Sequence, residues 1–209
     1  YGFDPTIILV LIGVALSLWA QGRVNSTFSR YSRVRSMTGM TGAEAARRLL
    51  NAQGIYDVTV QQIAGELTDH YDPRTKTVNL SQSVYGATSV AAIGVAAHEC
   101  GHAMQDNEEY APLRFRSALV PVANFGSSLS WPLILLGLVF GGLGSPLVEI
   151  GILMFSLAVL FQLVTLPVEY NASARAVRLL DAQGILAGEE VNGTRKVLNA
   201  AALTYVAAA

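Results

Sequence analysis

A chain of 209 residues that is 52% hydrophobic and only 14% charged, with a mean hydropathy of +0.40, is too apolar for an ordinary soluble domain. A formal net charge of −1 removes the electrostatic basis for binding nucleic acid, and a single cysteine, Cys100, excludes an internal disulfide. The composition is that of a membrane protein.

Residues 5–22 carry no charge and predict a first membrane span. A secretory signal peptide would open on a basic segment and close on a small-residue cleavage site, and neither flanks this run. Asp4 precedes it and Arg23, Arg30, Arg33 and Arg35 follow it, which predicts an N-terminus outside and the next residues in the cytoplasm.

A polar segment then runs over residues 23–116. Thr41-Gly-Ala-Glu44 is a capping box that opens a helix stopped by Gly54. Val58-Thr59-Val60 reads as a short strand, and Glu66–His70 and Thr77–Ser81 read as two strands around a turn at Tyr71–Lys76. Such a hairpin either completes the fold or offers an edge strand to an extended peptide.

The chemistry lies in Ala96-Ala97-His98-Glu99-Cys100-Gly101-His102-Ala103, inside an uncharged small-residue run that reads as a buried helix. On a helix, residues four apart share a face, so His98 and His102 can bind one metal ion. Two neutral imidazoles with a neighbouring carboxylate are what a catalytic Zn2+ site requires, Glu99 taking a proton from the zinc-bound water. Cys100 reads as a small packing residue.

From Ser117 to Val168 the only charge is Glu149, a length of two spans. The break at Gly141–Pro146 divides them into residues 117–142 and 147–167, with Glu149 near the outer interface. Gly137-x-x-x-Gly141 permits close helix packing, within the chain, in a homo-oligomer or against a membrane partner protein. Ten of the 14 Lys and Arg lie between spans one and two, and the other four follow span three, so all fall on one side. Residues 168–196 therefore return to the side of His98 and His102.

That topology makes Glu169 the stronger candidate for a third ligand, since His98, His102 and Glu169 leave an open zinc position for water. His70 is the rival ligand, and could instead stabilise the oxyanion of a tetrahedral intermediate or be an ordinary histidine of the fold. Asn171 and Ser173 read either as hydrogen-bond partners of a ligand imidazole or as ordinary polar helix surface. Arg178-Leu-Leu-Asp-Ala-Gln-Gly-Ile185 nearly copies Arg48-Leu-Leu-Asn-Ala-Gln-Gly-Ile55, which reads as two similar helix ends. Residues 197–209 are apolar again and read as the start of a fourth span or as a packing helix.

His98-Glu99-x-x-His102, the segment Leu67-Thr-Asp-His-Tyr-Asp-Pro-Arg-Thr75 and Pro167-Val-Glu169-Tyr-Asn-Ala-Ser173 resemble the YugP-type neutral zinc metallopeptidases of bacterial membranes over nearly the whole chain. More distantly, the chain is similar to the HtpX and CAAX-prenyl proteases, whose third-ligand helix carries Glu-x-x-x-Asp; Ser173 stands here in place of that Asp. The resemblance implies a gluzincin in the cytoplasmic (inner) membrane of a bacterium, with its site at the cytoplasmic face, His98, His102 and Glu169 as ligands and Glu99 catalytic.

The expected fold is mainly α, a polytopic membrane protein with a small α+β zincin-like catalytic domain built around the His98–His102 helix. The expected function is Zn2+-dependent endoproteolysis of peptide segments of membrane or membrane-associated proteins beside the lipid bilayer. A catalytically silent zinc-binding scaffold is the alternative, favoured if His70 closes the site as a fourth ligand.

Overall fold

Long apolar runs interrupted by glycine and proline fold into seven helices and a three-stranded sheet in a computed structural model that describes residues 5–142 and 145–208. Asp4, residues 143–144 of the break between the expected second and third spans, and residue 209 lie outside the described residues. The elements are α1 (Pro5–Ser32), α2 (Gly42–Ala52), β1 (Thr59–Ile63), β2 (His70–Asp72), β3 (Thr77–Ser81), α3 (Gln82–Tyr85), α4 (Val90–Asn107), α5 (Ala111–Phe140), α6 (Pro146–Ala182) and α7 (Glu189–Ala208).

Three of these, α1, α5 and α6, are long and apolar enough to cross a membrane. Their large apolar side chains point outward, Leu9 68% and Val139 74% exposed, as lipid-facing residues must. At 1.5 Å per residue the 37 residues of α6 extend about 55 Å, well beyond the ~30 Å hydrocarbon layer. Its last turns accordingly change character: Val168, Ala172, Ala176 and Leu180 are buried in protein. α1 likewise continues past Gly22 to Ser32.

α5 and α6 form the most extensive helix pair. Their backbones meet at glycines: a Cβ on Gly151 would lie 2.9 Å from the Ser130 carbonyl oxygen, and one on Gly137 2.6 Å from Val148 Cγ2. Gly137 therefore serves packing within the chain. Pro121, Pro132 and Pro167 all lie inside these helices.

The polar segment packs beneath the hairpin. Thr41 Oγ1 accepts from the Glu44 backbone N–H at 3.1 Å and opens α2, and Gly54, at φ +70°, ends it. The near-copy holds in three dimensions, because Gly184 adopts φ +67°, Ile55 and Ile185 are both buried, and Arg48 Nη2 donates to the Gln183 carbonyl at 3.0 Å. In the sheet, of order β1-β3-β2, β1 runs parallel and β2 antiparallel to β3. The strand expected at Glu66–His70 forms instead at His70–Asp72, since positive φ at Gly65 (98°) and Leu67 (54°) breaks the extended backbone before it.

α4 sits at the centre. Ser89 caps it, its hydroxyl accepting from the Ala92 N–H at 3.1 Å, and Ala92, Ile93, Ala96, Ala97 and Cys100 are fully buried against α2, α6 and α7. Ser36 N donates to the Thr88 carbonyl and Val90 N to the Val34 carbonyl, both at 2.9 Å, which ties the exit of α1 to the start of α4.

Candidate metal centre

Helical spacing puts His98 and His102 one turn apart, with ring centroids 4.8 Å apart and planes at 86°. Both Nε2 atoms face one carboxylate: His98 Nε2 lies 2.8 Å from Glu169 Oε2, and His102 Nε2 lies 3.3 Å from Glu169 Oε1. One donor atom from each of the three residues falls within 4.8 Å of the others, close enough to hold a single metal ion. Gly101 makes this approach feasible. A Cβ there would collide with the Ala172 carbonyl, so α4 and α6 touch backbone to backbone less than a turn from Glu169.

The second nitrogen of each imidazole is also occupied. Gln105 Nε2 donates to the Val168 carbonyl at 3.0 Å and to Asn171 Oδ1 at 2.9 Å, which leaves its Oε1 to accept from His102 Nδ1 at 2.9 Å. Because a carbonyl only accepts, this chain of bonds fixes the amide and puts the His102 proton on Nδ1, leaving Nε2 with its lone pair toward the centre. His98 Nδ1 meets Ser173 Oγ at 2.9 Å. Ser173 thus touches an imidazole directly, whereas Asn171 acts one bond further out, through Gln105.

Arg116 is the last charge before the expected second span. It bonds Glu169, Nη1 to Oε1 at 2.8 Å, and its buried Nε has no partner among the described residues. Arg175 is held elsewhere, donating to Asn171 Oδ1 and Glu108 Oε2, each at 2.7 Å. Cys100 is buried with Sγ 3.6 Å from the Ala46 carbonyl, and burial pushes its thiol up, as suits a packing residue.

A cavity of about 480 Å³ opens over the cluster, lined by His98, Glu99, His102 and Glu169 together with Arg116 and Tyr205. Burial pushes the Glu99 carboxyl above its usual range, and the nearby His98 and His102 pull it back in part. Burial opposes protonation of His98, but its bond to Glu169 prevails and raises its proton affinity. The centre is built to hold positive charge.

His70, Asp69 and Tyr71 also line this cavity. His70 lies outside the three-residue cluster. Its Nδ1 bonds the Thr68 carbonyl at 2.9 Å and its Nε2 meets Asn79 Nδ2 at 3.3 Å, so the neutral ring has no N–H left for a substrate. The Tyr205 hydroxyl, in contrast, has no hydrogen-bond partner among the described residues. Gln105 carried a legible signal, a lone amide on a buried apolar helix three residues after His102; Arg116 and Tyr205 carried none beyond their place in the chain.

Membrane-length helices around a buried His-His-Glu donor set with a separate carboxylate define a class, a membrane metalloprotein whose donors fit zinc in a hydrolytic site. The chain belongs to the family described as "Putative neutral zinc metallopeptidase", which matches residues 6–209, and zinc is the metal of that family. It is 50% identical over 203 residues to the "Putative membrane protease YugP" of Bacillus subtilis (strain 168), covering 97% of this chain and 89% of that relative. No solved structure matches it.

Proposed function

We propose that this chain is a membrane-embedded zinc endopeptidase that cuts peptide segments of membrane or membrane-associated proteins at the cytoplasmic face of a bacterial inner membrane. The observation that carries the reading is the convergence of His98, His102 and Glu169 beside a buried Glu99 that lines the same cavity and has no ion pair among the described residues. The one-sided distribution of Lys and Arg supports the cytoplasmic orientation.

His98 and His102, through Nε2, and Glu169, through its carboxylate, would hold the metal. Zinc bound there supplies a Lewis acid that polarises the scissile carbonyl and acidifies a water. Glu99, in the cavity wall, would accept a proton from the attacking water and pass it to the leaving amine. Gln105 and Ser173 keep the imidazoles turned toward the centre, and Arg116 fixes the Glu169 carboxylate. Tyr205 and Arg116 line the cavity as the hydrogen-bond donors for the developing oxyanion. Edge strand β2 offers main-chain pairing to an extended substrate, which favours an unfolded segment over a folded surface.

The test is zinc content and cleavage of an unfolded test protein by detergent-purified wild type and Glu99→Gln. Stoichiometric zinc in both, with cleavage reduced by about 10²–10⁴ in the variant, is the expected result. Wild-type cleavage by Glu99→Gln would overturn the mechanism, and zinc without cleavage in wild type would favour the scaffold.

A further inference from the structure

Apart from the metal site, a groove of about 790 Å³ lies between α1 and α7 and is lined also by Tyr170 of α6. α1 contributes Arg23, Ser26, Thr27 and Arg30, spaced i, i+3, i+4 and i+7, hence a single face. α7 contributes Lys196 one turn after Gly193, where the two helices are in contact: a Cβ on Gly193 would lie 2.7 Å from Tyr31 Cε1. α7 therefore starts beside the end of α1 and runs back along it, so the groove extends from Lys196 and Arg30 toward Arg23 and the apolar Leu203.

Three cations line this groove and no carboxylate does. None of the three has an acidic partner within 4.0 Å among the described residues, a state they share with several other arginines of the chain but here gathered in one groove. Arg23 instead lies over the Trp19 ring at 5.7 Å and Arg30 over Tyr31 at 5.6 Å. Like charges gathered without counter-charge repel one another, and an anion between them relieves that repulsion.

Depth identifies the anion. The uncharged run of α1 ends at Gly22, so Arg23 stands at the edge of the hydrocarbon and Arg30 about 10 Å beyond it, a span that covers the headgroup layer. We infer that the groove binds the phosphodiester headgroup of an anionic membrane lipid, its phosphate between Arg23, Arg30 and Lys196, with Thr27 and Tyr170 donating to headgroup oxygens. The glycerol and acyl chains leave past Leu203 into the bilayer. The opposite faces of the same helices line the metal cavity through Gln21 and Tyr205, so a bound lipid clamps one wall of that cavity.

The experiment uses the full chain in mild detergent, titrated with short-chain phosphatidylglycerol, phosphatidylcholine or inorganic phosphate, and reads lipid retention by native mass spectrometry and the shift in Tm. Wild type is expected to retain one phosphatidylglycerol and to gain thermal stability from it, with neither effect from the other two ligands. The triple variant R23Q/R30Q/K196Q should bind phosphatidylglycerol at least about tenfold more weakly, given the usual contribution of each Lys or Arg near a membrane surface. The equally neutralised R74Q/K76Q/R114Q, outside the groove, should bind as wild type does. If the triple variant does not fold, Lys196→Glu alone reverses one charge and should weaken retention in a folded protein. Equal binding of phosphatidylcholine, equal stabilisation by inorganic phosphate, or unchanged phosphatidylglycerol binding by the charge variants would overturn the proposal.

Discussion

The two helices that build the metal cluster live under opposite solvation rules. α4 is surrounded by protein, with Ala96, Ala97 and Cys100 fully buried, so its two histidines owe their spacing to the helix and their direction to the core. α6 presents Leu153 at 62% and Leu163 at 50% exposure before it reaches Glu169, and so belongs mostly to the bilayer. α4 brings His98 and His102 one turn apart, and α6, long and apolar enough to cross a membrane, brings Glu169 to them. A site divided in this way is completed only when the membrane part and the polar part are in register, and Gly101, in contact with the Ala172 carbonyl, sets that register.

The strongest way to break the comparison is to remove the contribution of α6. Glu169→Ala leaves two imidazoles and an unpaired Arg116, and should abolish stoichiometric zinc and cleavage together. Zinc content by elemental analysis checks this, and retained zinc would mean that another group supplies the third ligand. Next is the register itself. Gly101→Val puts a branched side chain against the Ala172 backbone, and overpacking of this kind costs about 1–3 kcal/mol. Helix propensity alone would favour the valine by a few tenths of a kcal/mol over glycine. A fall in Tm with loss of zinc therefore reports packing between α4 and α6, whereas an unchanged Tm would mean that the two helices do not meet here as described.

What could be read from sequence divides along the same line. The metal helix was legible because its signal is local: a spacing of four on a small-residue run needs no knowledge of the rest of the chain. Glu169 was reachable through topology, since counting spans and locating Lys and Arg brings it to the side of His98. The strand at His70–Asp72 was misplaced by a few residues, because alternation in Glu66–His70 says nothing of the positive φ at Leu67 that interrupts it. Arg116 and Tyr205 were invisible for a different reason. Each meets the site only through tertiary packing, Arg116 across 53 residues of sequence, and an arginine before an apolar run looks the same whether it marks topology or grips a carboxylate.

A finer version of the comparison concerns the groups behind the ligands. Gln105 is wholly buried and joins His102 on α4 to the Val168 carbonyl and Asn171 on α6. Gln105→Leu preserves size but leaves His102 Nδ1 without its acceptor and the Val168 carbonyl without the Gln105 donor, where water does not easily enter, while Asn171 Oδ1 keeps its bond from Arg175 Nε. Zinc affinity, measured by competition with a chelator, should fall about 10–100-fold, the range for groups that orient a ligand histidine. A change below threefold would mean that the core alone orients His102.

Ser173→Ala is expected to have the smallest effect of the four. It removes one bond, Ser173 Oγ to His98 Nδ1 at 2.9 Å, from a side chain that is only half-buried on the wall of the cavity. A typical hydrogen bond contributes about 0.5–1.5 kcal/mol net, and water from the cavity can replace this one, so zinc affinity should fall about two- to threefold. The same titration that follows Gln105→Leu reads it. If Ser173→Ala weakens zinc as much as Gln105→Leu does, then the hydroxyl on α6 orients His98 as strongly as the buried amide orients His102. The histidine pair would then depend on the membrane hairpin for its aim as well as for its third partner.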